Sequence, residues 1–355
     1  MGCITFYSHI RMQGEYMFIS SIETYLPGCN INNDELGDKL NFKPKLIEKL
    51  FGNHGRHFST NLKTGMITST CTEMIHLMMK KLISLNKNGM KDIDFVIVST
   101  ATPDLLLPTS INEACNLTGF KNIESYQITG GCSGAVQALK LADYILKSGT
   151  HKKGLVIGVE CSNKFLNIFN DNQCKIEPKE IVNYCLFGDG VGGCIVNSEK
   201  TVNSIYVKGV EYKYNGLQEK VGQLANWSGA RKFFNDGQPM LKEEYKLIEH
   251  LVPKLTIDAY SELKSKYSSE LGVRWFMPPQ LSGRMVSYIC NKMNIHEDKI
   301  LSRVHEIGNC ANAALYFQLK EFFDLSIEGE EGIAISIESS RWLSSGLYLQ
   351  KVYEK

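Results

Sequence analysis

Tyr126-Gln127-Ile128-Thr129-Gly130-Gly131-Cys132-Ser133-Gly134-Ala135-Val136-Gln137-Ala138-Leu139 reads as a strand, a glycine turn, a cysteine and the start of an amphipathic helix. The helical pattern runs from Ser133 to Ser148 with Val136, Leu139, Ala142, Tyr144 and Ile145 apolar, and Gly149 stops it. Outward from this joint, 95–100, 154–159, 194–196 and 332–337 are apolar, β-branched runs bounded by turn residues. Their hydrophobicity is continuous rather than alternating, which predicts strands buried on both faces. A further helical pattern spans Glu244 to Lys266. The expected fold class is α/β, with helices on both sides of mixed sheets. A second set of the same elements from about Ile205 predicts two comparable halves. The expected boundaries are a tail over 1–16, with Met12 and Met17 as alternative starts, then 17–200 carrying Cys132, then 201–355.

The setting of Cys132 has a chemical reading. At a helix N-terminus the partial positive charge and free backbone N–H groups favour a thiolate and predict a lowered thiol pKa. Glycines at 130, 131 and 134 supply conformational freedom and let a substrate approach the sulfur. Covalent acyl-enzymes are built this way, but a strand-to-helix corner also suits a small buried cysteine. Spacing alone leaves both open.

Composition narrows the alternatives. Of 355 residues, 43% are hydrophobic and 22% charged, and lysine plus arginine (39) balance aspartate plus glutamate (38). A net charge of +1 provides no field for a polyanion, so nucleic acid is not an expected partner. No run approaches the roughly 18–20 apolar residues that span a bilayer, and no secretory signal pattern opens the chain, so a cytoplasmic protein with no membrane partner is expected. The 11 cysteines are scattered without CxxC or Cys/His ligand spacing. They predict reduced thiols and no metal site. Gly188-Asp189-Gly190-Val191-Gly192 lacks the spacing of a dinucleotide loop, and no cofactor is expected.

With these pieces in order, the sequence resembles β-ketoacyl-acyl carrier protein synthase III, of the thiolase superfamily, from about Phe18 to Val352. The resemblance is carried by Tyr25-Leu26-Pro27 with Asn33 and Glu35-Leu36, by Gly52-Asn53-His54-Gly55-Arg56-His57, and by Ala101-Thr102-Pro103-Asp104 with Leu107-Pro108-Thr109. It continues through Gly131-Cys132-Ser133-Gly134, Leu186-Phe187-Gly188-Asp189-Gly190-Val191-Gly192, and Ile307-Gly308-Asn309 with its following alanines. It implies a five-layered αβαβα structure of two similar thiolase-like halves, a dimer, and an acyl group carried on Cys132. It also implies that Asn309 donates a hydrogen bond to the thioester oxygen when malonyl thioester loses CO2.

The resemblance fails at three places. The family's histidine, the second donor to that oxygen, falls on Pro279, which has neither a side-chain donor nor an N–H. Gln280 and His305 are the candidate substitutes. The family's glycine-rich oxyanion loop reads Ser340, Arg341, Trp342, which predicts either a reshaped acyl pocket or simple core packing of the indole. Two side chains that grip coenzyme A in the family fall on Leu46 and Leu50, whereas Arg284 keeps the arginine that meets the carrier protein. The expected function is therefore acyl transfer from a carrier-protein or coenzyme A thioester to Cys132 and on to an acceptor, without malonyl decarboxylation. The alternatives are a catalytically silent subunit of a heteromeric ketosynthase, a decarboxylating synthase with a substitute donor, and a binding protein that sequesters acyl carrier protein. Both a homodimer and a heterodimer with a related ketosynthase remain open.

Overall fold

The computed structural model describes residues 16–165, 178–216, 220–225 and 241–353. Of the expected tail only Tyr16 is described; it packs edge-on against Tyr206, ring centres 5.5 Å apart.

The first half begins with β1 (Met17–Tyr25), then an excursion of β2 (Asn30–Asn32), α1 (Asn33–Leu40), α2 (Pro44–Phe51) and β3 (Gly55–His57). It continues as α3 (Cys71–Leu85), β4 (Phe95–Ser99), α4 (Ser110–Thr118), β5 (Glu124–Ile128), α5 (Gly134–Lys147), β6 (Lys153–Glu160), α6 (Pro178–Leu186) and β7 (Gly190–Asn197). The second half runs β8 (Asn203–Tyr214), β9 (Gln223–Ala225), β10 (Leu241–Glu243), α7 (Tyr245–Tyr267), β11 (Val273–Met277) and α8 (Gly283–Lys292). It ends with α9 (Val304–Ile307), α10 (Ala314–Leu325), β12 (Glu331–Glu338) and β13 (Leu343–Tyr353).

The strands order as β11-β12-β13-β8-β1-β7-β6-β4-β5. In the first half β4 is parallel to β6, β6 antiparallel to β7, and β7 antiparallel to β1. The second half repeats this: β11 is parallel to β12, β12 antiparallel to β13, and β13 antiparallel to β8. Antiparallel pairing of Met17–Ile19 with Val207–Ile205 joins the two sets.

Continuous burial of β4, β6, β7 and β12 agrees with their unbroken apolar sequences. Helices α5 and α10 each touch strands of both halves: α5 packs on β4, β6, β8 and β13, and α10 on β1, β7, β11 and β12. They form the middle layer. Val136, Leu139, Leu315 and Leu319 meet Met17, Ile97, Val207 and Leu347 there. On one outer face α3 presents Met74, Met78 and Leu82 to Val96, Leu155 and Val191. On the other, α7 presents Leu251 and Leu255 to Ile333 and Ile335. Helix, sheet, helix, sheet, helix is the expected five-layer order. Edge strand β5 is only partly buried, and it delivers the chain to Cys132.

Candidate active site

The Cys132 turn is closed by Gly134 N–H donating to Gly131 O at 2.8 Å, and α5 starts at Gly134. Cys132 is half-buried, unlike the fully buried Cys71, Cys161, Cys194 and Cys310 of the core. None of Gly130, Gly131 and Gly134 has positive φ, so the expected conformational freedom is not what the turn requires of them. Close approach is. A Cβ on Gly131 would lie 1.8 Å from Glu338 Oε2, and one on Gly134 would lie 2.3 Å from Asn312 Oδ1.

Carboxylates therefore surround the thiol. Glu338 ends β12, is 3% exposed, and accepts a hydrogen bond at Oε1 from Ser340 N–H at 3.0 Å. Glu160 ends the equivalent strand β6 and accepts from Ala101 N–H (2.8 Å), Thr102 Oγ1 (2.9 Å) and Asn312 Nδ2 (2.6 Å). Glu243, at the end of β10, accepts from Gln223 Nε2 at 2.8 Å. Burial, and then the charges of Glu338, Glu160 and Glu243, push the Cys132 thiol well above its ordinary value. This corrects the expected lowering: the dipole of one helix end is outweighed by desolvation and three nearby acids. Burial raises Glu338 as well, against the Ser340, Cys132 and Ser133 amides that favour its charged form. Burial, then proximity to Glu338, pushes Glu243 up to about 7, although Gln223 opposes the shift.

Asn309 reaches the same place from the other half. Its backbone is clamped to the Leu186–Gly188 segment, with Asn309 N–H donating to Leu186 O (2.8 Å) and Gly188 N–H to Asn309 O (3.1 Å). Gly308 sits at φ +73, and any Cβ there would press on Arg56 Cβ and Leu186 O. Asn309 Oδ1 accepts from Ala311 N–H at 2.9 Å, so the amide's NH2 remains to donate. Cys132, Pro279, Gln280 and Asn309 line one cavity with Leu281, Gln318 and Ile337. It holds about 10 Å³ of free space, room for roughly one water.

The two expected substitutes for histidine are placed differently. Gln280 lines the cavity, but its amide is held in place: Oε1 accepts from Arg303 N–H (3.0 Å) and Val304 N–H (2.9 Å), and one of the two Nε2 hydrogens is donated to Pro278 O (2.9 Å). His305, on α9, is half-buried and pairs with Glu306 at 3.5 Å. It lines an outer groove with His54, Glu48, Lys49 and Arg284 instead of the Cys132 cavity. Arg284 is exposed at the start of α8 and donates to Lys49 O at 3.2 Å, beside α2 with its exposed Leu46 and Leu50. Trp342 is 1% exposed among Ile248, Leu251, Leu255 and Ile337, and its Nε1 donates to Lys220 O at 2.8 Å. It sits at φ +57, keeping the left-handed turn that a glycine would take at a cost of about 1–2 kcal/mol. Arg341 is exposed, and Ser340 bears on the site through its N–H on Glu338.

Sequence reading missed Glu338, Glu160 and Glu243. The available signal was a glutamate closing each of two otherwise continuous apolar runs, Leu155–Val159 and Ile333–Ile337. Among the described residues, no cluster of His, Cys, Asp and Glu could hold a metal ion, and no helix is long and apolar enough to cross a membrane.

A five-layered repeat with a cysteine before one middle helix and an asparagine before the other defines a thiolase-fold, acyl-transferring condensing enzyme. Residues 126–214 match the family of 3-oxoacyl-(acyl-carrier-protein) synthase III, and residues 264–330 match its C-terminal counterpart. The chain belongs to this family. It is 26% identical over 331 residues to beta-ketoacyl-(acyl-carrier-protein) synthase III of Streptococcus agalactiae, covering 90% of this chain and 94% of that one. The solved structure of AbyA1, a tetronic acid condensing enzyme, superposes with a TM-score of 0.87 at 30% identity, covering 94% of this chain and 99% of that one. The Aquifex aeolicus synthase III structure shares the fold at 20% identity and a TM-score of 0.77, covering 94% and 99%.

Proposed function

We propose that this chain takes an acyl group from a carrier-protein thioester onto Cys132 and passes it to a nucleophile that ionises without losing CO2. The observation that carries this reading is the donor set of the cavity. Asn309 can donate through its NH2, Pro279 cannot donate at all, and Gln280 is anchored to backbone through Oε1 and one of its two N–H groups. Decarboxylation builds charge on the malonyl thioester oxygen, and loss of one of two donors costs roughly 10²–10³ in rate. A carbon already flanked by two carbonyl groups forms its enolate by losing only a proton, with the charge spread over both oxygens, and a hydroxyl or amine needs no enolate.

The relative described as a tetronic acid condensing enzyme fits this choice of acceptor. Tetronic acids contain a carbon between two carbonyl functions, and such a carbon gives up a proton readily. Exposed Arg284 next to exposed Leu46 and Leu50 favours an acidic carrier protein over coenzyme A as donor. The partly exposed edge of β5 offers a pairing surface for a second copy or a related subunit. The small cavity favours the alternative, a silent subunit, because about 10 Å³ admits no acyl chain unless the site widens.

Intact-protein mass spectrometry after incubation with acylated carrier proteins and acyl-coenzyme A thioesters tests the reading. The expected result is a single acyl adduct on Cys132, formed faster from the carrier protein and discharged by a β-dicarbonyl, hydroxyl or amine acceptor. No adduct at any chain length means the silent-subunit reading holds instead.

A further inference from the structure

On the acyl-transfer reading given above, the Cys132 thiol must lose its proton before sulfur attacks, and the departing carrier-protein sulfur must gain one. The surroundings hold this thiol neutral, and among the described residues no histidine lines its cavity. Some other group must handle the proton.

We propose that Glu338 is that group: its carboxylate accepts the proton of Cys132 Sγ and returns it to the carrier-protein sulfur. The step balances. The Cys132 S–H bond breaks and its proton passes to Glu338, while the sulfur's electron pair forms a C–S bond to the acyl carbon. The old C–S bond then breaks with its pair on the carrier sulfur, which takes the proton back from Glu338. Glu338 ends as it began, a carboxylate.

Three features of the site support this role. Glu338 Oε2 lies against the backbone of Gly131, the residue before the nucleophile, in a space that only glycine leaves open. The side chain is 97% buried by its 3% exposure, and Oε2 has no hydrogen-bond partner within normal geometry, whereas Oε1 is held by Ser340 N–H. The Cys132 and Ser133 amides lie close enough to favour the carboxylate, so this oxygen sits at the nucleophile turn with no donor aligned on it. The equivalent carboxylate, Glu160, has its oxygens taken by Ala101, Thr102 and Asn312 and has none to spare for chemistry.

The groups around Glu338 include the Ser340, Cys132 and Ser133 amides and charges from neighbouring strands. Glu243 of β10 is a nearby like charge, Tyr212 of β8 and Cys132 interact with Glu338, and Glu160 of β6 acts on the same thiol. Arg341, on the turn after β12, is exposed. Burial raises the Glu338 carboxyl above its usual range, the direction that makes it a stronger base.

Two rates measured against pH separate this role from mere charge. One is alkylation of Cys132 by iodoacetamide, which needs only thiolate; the other is acylation by an acyl carrier-protein thioester, which needs the proton moved twice. In Glu338→Gln, removal of a neighbouring negative charge should speed alkylation at pH 7 several-fold. Acylation should slow by about 10²–10⁴-fold, the usual range of general acid–base contributions, and lose its acidic limb. Acylation that speeds up together with alkylation, or that keeps its acidic limb, overturns the proposal and leaves the acyl-transfer reading standing. Wild type that is alkylated but never acylated overturns the acyl-transfer reading, and this role with it. Should Glu338→Gln fail to fold, Glu338→Asp takes its place: the acidic limb must shift with the repositioned carboxylate, and an unshifted limb overturns the proposal.

Discussion

At the ends of β6 and β12, equivalent strands of the two halves, the chain places a glutamate, Glu160 in one and Glu338 in the other. Both are buried beside the Cys132 turn, yet Glu160 is held by two side chains and a backbone amide while Glu338 Oε2 makes no hydrogen bond of normal geometry and has only the turn's own amides near it. The fold has thus used one position of its repeat twice. In the first half the carboxylate is tied to Asn312, which also donates to Gly130 O at 2.8 Å, so it fixes the turn. In the second half the carboxylate leans on Gly131 and is free to exchange a proton. Equivalent places in a repeat need not do equivalent work; the number of donors left over decides which does chemistry.

Several changes would break or sharpen that contrast. Cys132→Ala removes the sulfur on which both carboxylates act, and it should abolish every acyl adduct in intact mass spectra while leaving the thermal midpoint within a few degrees. Asn309→Ala should lower acyl transfer by about 10²–10³, the usual cost of an oxyanion donor. If the acyl-transfer rate instead matches wild type, Asn309 serves only to shape the turn. Glu160→Gln should cost about 1–3 kcal/mol of stability in urea titrations, because a bonded carboxylate oxygen is replaced by an NH2 facing donors. The acidic limb of acylation should stay where wild type has it; a displaced limb would show that Glu160 shares the proton work assigned to Glu338.

The remaining expectations are smaller. Glu243 is raised in the fold to about 7 from an ordinary 4.5, so the folded state binds its proton more tightly than the unfolded chain does. Its contribution to stability is then fully present below about pH 4.5 and is lost as pH rises through about 7, amounting to roughly 1–3 kcal/mol. The thermal midpoint should fall over that window, and Glu243→Gln should flatten the fall. Arg284→Glu should slow acylation by carrier protein several-fold at low salt, with the difference shrinking as salt is added. Acylation by coenzyme A thioester should be unaffected.

Much of this architecture was legible before any coordinates. Unbroken apolar runs at 95–100, 154–159 and 332–337 can only be strands covered on both sides, and they are β4, β6 and β12. The strand-turn-helix around Cys132 was equally plain, since the pattern changes period within a few residues of a glycine pair. The carboxylates were not legible, because a glutamate at the end of a strand usually marks where the chain reaches water. Only the packing of α5 and α10 between the halves shows that these two strand ends meet inside. The glycines misled for a related reason: Gly131 and Gly134 look like turn residues, but their missing Cβ makes room for Glu338 and Asn312 from distant segments. His305 lies four residues from Asn309, yet the bend at Gly308 turns it toward the outer groove.

The most direct test of the account supplies acylated enzyme with malonyl carrier protein labelled at the free carboxyl. The account predicts discharge by a pre-ionised acceptor and CO2 release at least about a hundredfold slower, with Pro279→His raising that release. CO2 leaving wild type at the rate of acyl loss would contradict it.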